Sequence, residues 1–107
     1  MDRRATDRER RQASELAQRA LDGSSTMLEA VRELVPFAHT DAIANEADRL
    51  LIIGIDSETD HLPVGAVRKL WAPDALLTKE TEIARAEANW KAEFLDACKR
   101  IAGANCS

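Results

Sequence analysis

Leu50-Leu51-Ile52-Ile53-Gly54-Ile55 is the stretch on which the fold turns. Alone, it suits a buried strand as well as the inner turns of a helix, because so short an apolar run carries no periodicity. Its upstream neighbours decide the matter. Ala42 to Asp48 reads as helical, and no turn signal separates it from the run. Thr40 and Asp41 offer an N-cap. Ile43, Ala47, Leu50 and Gly54 recur on one stripe, with Leu51 and Ile55 beside it. Ile52 and Ile53 make the last turns apolar almost all round, as in a central helix.

The flanking sequence extends this helical reading. Ala13, Leu16, Ala17 and Ala20 share a face of a first helix that Gly23 stops. Ser24, Ser25 and Thr26 supply the cap of a second helix, whose stripe is Met27, Val31, Leu34 and Ala38 with Leu28 and Val35 on its shoulder. Pro36 ends or kinks it after roughly three turns. Downstream, Pro63 opens a short helix gathering Val64, Val67, Leu70 and Trp71 on one side. Thr78 then caps the longest helix, with Ile83, Trp90, Phe94, Ala97 or Cys98, and Ile101 facing inward and Gly103 closing it. The expected fold is all-α: a four- to five-helix antiparallel bundle with an ordered polar loop between the third and fourth helices. Residues 1–12 read as a charged, solvated lead-in, 13–103 as one domain and 104–107 as a tail.

Composition narrows the function classes. The chain has 107 residues, 45% hydrophobic and 32% charged, which suits one soluble globular domain. A net charge of −4 argues against a nucleic-acid binder, which needs clustered cations. The longest apolar run is far short of the ~20 residues a spanning helix requires, so no membrane partner is expected. No secretory pattern is visible after Met1. Cys98 and Cys106 lack metal-ligand spacing, and a reduced cytoplasmic state is the default; pairing them would require the tail to fold back on its helix.

The chemistry, if any, is concentrated in Asp56-Ser57-Glu58-Thr59-Asp60-His61-Leu62-Pro63-Val64-Gly65, followed by Arg68 and Trp71. Asp56, Glu58 and Asp60 fall at a helix C-terminus, where the partial negative charge disfavours carboxylates by about 0.3–1 kcal/mol each when exposed. A cation should therefore compensate, and Arg68 or Lys69 are the candidates within the segment. A structural clasp, with these side chains bonding loop amides and Arg68 bridging back, competes with a binding site. Glu58-x-x-His61 has the spacing of a helical di-metal motif, but such a site needs two copies plus two more glutamates, only one copy exists, and Pro63 argues against a helix there. A hard-cation site on Asp56, Glu58 and Asp60 is chemically feasible. Glu87, inside the apolar stripe between Ile83 and Trp90, needs a partner such as Arg68 or must reach solvent at the stripe's edge. No nucleophile motif or glycine-rich phosphate loop is present.

The block Ser57 to Gly65, with Arg68 and Trp71, resembles a family of short bacterial proteins of unknown function, over about Leu16 to Ile101. The resemblance implies no activity, cofactor or substrate, only a shared purpose for these residues. The residues themselves favour a small cytoplasmic interaction or accessory protein that is not an enzyme and needs no cofactor or metal. Two alternatives stand beside it. One is an immunity-type protein neutralising a basic toxin, from charge and size. The other is a metal- or small-ligand-dependent enzyme using Asp56, Glu58, Asp60 and His61.

Overall fold

A computed structural model of the chain describes residues 4–62 and 72–104. It is all-α, with helices α1 (Asp7–Asp22), α2 (Met27–Ala38), α3 (Glu46–Thr59) and α4 (Pro73–Ala104), and no strand among the described residues. Leu50 to Ile55 is helical throughout, so the strand reading falls. The short helix expected after Pro63 lies outside the described residues, as do Arg68, Lys69, Trp71 and Cys106.

Local chemistry sets most of the ends. Thr6 accepts from the Glu9 amide while Glu9 reaches back to the Thr6 amide, a capping box that starts α1 within the stretch read as a lead-in. Asp41 holds that start from across the bundle, accepting from the Ala5 amide and lying 3.4 Å from Arg10. Gly23 closes α1 at φ 80°, a left-handed geometry that a side chain would disfavour. Thr26 and Glu29 form a second capping box. The cap of α3 is Asn45, not Thr40 or Asp41. Thr40 instead folds the preceding turn, donating to the Phe37 carbonyl and accepting from the Ala42 amide. Arg49 braces the same turn through the Ile43 and Ala44 carbonyls.

The helices pack in the order α4, α1, α2, α3, each chiefly on its neighbour, while α3 and α4 meet along a thinner seam. Ala13, Ala17 and Ala20 of α1 are buried, and these small side chains let α1 approach α4 and α2 closely. Leu28, Val31 and Leu34 of α2 and Phe94, Ala97, Cys98 and Ile101 of α4 complete the core as expected. Ser14 ties α1 to the end of α4 by donating to the Ala102 carbonyl. At 32 residues α4 is about 48 Å long, and its first turns are largely exposed, with Leu77 at 63%.

The face of α3 departs from expectation. Its buried row is Asp48, Ile52, Ile55 and Thr59. Ala47 and Leu50 of the expected stripe are exposed, Leu50 at 61%, and Gly54 and Leu51 are half-buried. Polar partners on other helices explain the inversion. Arg100 receives Asp48 at one end of the row, and Arg32 receives Thr59 at the other.

Candidate functional site

The polar block forms the last turn of α3 and the turn beyond it, so Asp56 to Thr59 is helical and not loop. The cation that compensates Asp56 is Arg32 on α2. One guanidinium nitrogen lies 2.8 Å from the Asp56 carboxylate and 3.1 Å from the Thr59 hydroxyl. The other amino nitrogen donates to the Thr59 carbonyl. Thr59 in turn donates to the Ile55 carbonyl at 2.6 Å and its own carbonyl accepts from the Leu62 amide. A guanidinium here satisfies terminal carbonyls and opposes the partial negative charge of the helix end. A signal for it existed in the sequence: Arg32 sits between Leu28 and Val35, on the inner shoulder of an otherwise apolar helix face. The role of Arg68 in such a clasp lies outside the described residues.

The remainder of the block faces outward. Ser57, Glu58, Asp60 and His61 are exposed. His61 Nε2 lies 3.1 Å from Glu82 Oε2 on α4, and Lys79 Nζ lies 3.5 Å from the same oxygen. The bond to His61 holds the Glu82 carboxyl below the ordinary carboxylate range; partial desolvation opposes this, and Lys79 adds to it. No group of three or more His, Cys, Asp or Glu side chains converges in metal-binding geometry among the described residues.

Glu87 is elsewhere. It is half-buried and lines a depression with Lys91, Phe94 and the Ser25–Met27 turn. That depression is separate from the one lined by Glu58 and His61, so the structure does not unite Glu87 with the block.

Sequence reasoning missed the pair Asp48–Arg100. Asp48 is only 2% exposed, yet both its oxygens are held by Arg100, with Nε at 3.1 and 3.0 Å and an amino nitrogen at 2.6 Å from Oδ1. This fork raises the Arg100 pKa further, against some desolvation. Asp48 also sits in the first turn of α3, where the helix end favours a carboxylate. Beneath the pair, burial and then the Asp48 charge push the Cys98 thiol up to about 12. Cys98 is a buried free cysteine with the character of a core residue.

Between the Asp48–Arg100 pair and the His61–Glu82 contact, α3 and α4 run antiparallel beside an open seam. Depressions of about 290 and 300 Å³ occupy its two ends. The first is lined by Ala47, Leu51, Glu93, Asp96 and Arg100, and the second by Glu58, Arg85, Ala86, Asn89 and Trp90 among others. Trp90, expected at the bundle centre, is half-buried at this seam, whereas Phe94 is fully buried. No helix of the described residues is long and apolar enough to cross a membrane. A scan against protein-family models finds no matching family, and searches of curated proteins and of solved structures find no significant match.

Proposed function

We propose that the chain is a small cytoplasmic interaction or accessory protein that acts by docking a protein partner and not by catalysis. The observation that carries this reading is the outward apolar row of α3. Ile52 and Ile55 already give the helix its core contacts, yet Ala47 and Leu51 line the first depression of the seam, Gly54 falls on the same helix face, and Leu50 is 61% exposed. Apolar side chains lining an open seam between two helices suit a protein contact. The polar block supports the same reading, because Asp56 and Thr59 are engaged in capping α3 while Ser57, Glu58 and Asp60 are exposed to a partner. A buried free thiol at Cys98 suits a reducing compartment. The resemblance of Ser57 to Gly65 to short bacterial proteins makes a bacterial cytoplasm the setting of this proposal.

Site-specific photo-crosslinking tests it. A photoreactive residue at the exposed Asn89, which lines the second depression of the seam, should give a discrete crosslinked protein product in bacterial cells, and one at the exposed Gln18 of α1 should not. Products from neither position, or equal products from both, would overturn the docking reading.

A further inference from the structure

Resting on the docking reading, the question becomes what kind of partner the α3–α4 seam fits. The α3 wall is built from Ala47, Leu51, Gly54 and Glu58, which fall at i, i+4, i+7 and i+11 on one face. These positions span about 17 Å along the axis, the length of three helical turns. Gly54 is the centre of this wall. A Cβ built on it meets no atom within 4 Å among the described residues, so no internal packing requires a glycine there. A glycine in mid-helix with open space above it permits one thing a larger residue would prevent: close approach of another backbone from outside. Packed helices approach to about 8–10 Å, and small residues at the crossing give the lower distances.

The charge of the walls selects among incoming helices. Glu58 on α3 and Glu93 and Asp96 on α4 project at the rim, all exposed. Neither Glu58 nor Glu93 has an ion pair among the described residues, and Asp96 has only a 4.0 Å contact to Lys99. Arg100 at the same rim is already engaged by Asp48, and Glu82 holds His61 and Lys79 at the far end. Arg85 is the remaining rim cation among the described residues. Among the described residues the rim is thus acidic around the apolar side chains of the two depressions, Leu51 in the first and Ala86 and Trp90 in the second, in a chain whose own net charge is −4. A second copy of this chain would bring like charge to the seam.

We propose that the α3–α4 seam receives a basic amphipathic helix of a protein partner, its small or apolar face over Gly54 and its Lys and Arg side chains against Glu58, Glu93 and Asp96. This is the helix-in-groove mode, in which anchors at helical spacing enter an apolar trough and rim charges set orientation and encounter rate.

The test uses the purified full chain and two synthetic helical peptides with the same Leu/Ala stripe. One carries Lys and Arg on the opposite face and the other carries Glu at those positions. Fluorescence anisotropy should show saturable binding of the basic peptide only, weakening as salt rises. Gly54→Trp, which fills the trough, and the double variant Glu58→Lys/Glu93→Lys should each weaken it by roughly tenfold or more. Gly54→Ala serves as the folded control, and circular dichroism confirms the helicity of every variant. Equal binding of both peptides, no binding of either, or binding unchanged in Gly54→Trp would overturn the proposal. Sedimentation velocity on the same samples separates the two levels of the argument. Self-association abolished by Gly54→Trp would replace the basic helix with a second copy and leave the docking reading standing. A monomer that binds neither peptide, combined with no crosslink from position 89, would remove both.

Discussion

Arg32→Ala should destabilise the protein by about 2–3 kcal/mol, a figure that follows from what the guanidinium leaves behind. It supplies one charge-assisted bond to Asp56 and two bonds to Thr59. The loss is not the full cost of three orphaned groups. The Thr59 hydroxyl keeps its bond to the Ile55 carbonyl, and the Thr59 carbonyl keeps the Leu62 amide. Asp56 is 29% exposed at its side chain and regains water. What remains is the net value of the bonds, about 1 kcal/mol each, plus the renewed repulsion between Asp56 and the helix end. In a domain of this size that lowers Tm by about 10–20 °C. Urea unfolding followed by circular dichroism reads the free energy, and a cycle with Asp56→Ala isolates the ion pair. A change below about 0.5 kcal/mol in Arg32→Ala, or strict additivity with Asp56→Ala, would refute the capping role.

Three further outcomes follow from the same structure. Phe94→Ala should cost about 3–5 kcal/mol, but Trp90→Ala, at the half-open seam, only about 2 kcal/mol; equal losses in urea unfolding would put Trp90 in the core. In a Cys106→Ser background, Cys98 should resist iodoacetamide in the native state and react once unfolded. Because its folded pKa is raised from 9.0 to about 12, its contribution is intact below pH 9 and stability declines as pH rises from there, which pH-dependent urea midpoints would detect. Gly54→Ala should stabilise the fold by about 0.5–1 kcal/mol, since the helix gains propensity and nothing is displaced; a loss of stability would mean that the glycine serves internal packing.

Much of the fold was legible because it rests on local chemistry. The Thr26 cap, the Gly23 stop and the stripes of α2 and of the C-terminal half of α4 depend on residues within a few positions of one another. The face of α3 was not legible for a physical reason. Leu50 to Ile55 is apolar nearly all round, so periodicity cannot choose which side is buried. That choice is made by Asp48 with Arg100 and by Thr59 with Arg32, pairs separated by 52 and 27 residues. The same long-range pairing hid the partner of Asp56. A need for compensating charge could be read at the helix end, but its source lay one helix back and not in the following segment. The start of α1 was within reach, because Thr6-x-x-Glu9 is a capping-box pattern that the interleaved charges obscured.

Everything proposed for the seam depends on which side of α3 faces out, and one pair of substitutions measures that directly. Leu50 and Ile52 are two residues apart, of similar size, and 61% and 0% exposed. Leu50→Lys should leave the unfolding free energy from urea titration within about 0.5 kcal/mol of the wild-type chain. Ile52→Lys should cost more than about 4 kcal/mol, because an ammonium is forced among apolar side chains. The opposite order, with Leu50→Lys unfolding the protein and Ile52→Lys tolerated, would turn the Ala47–Leu51–Gly54 face inward and leave no seam to dock a partner.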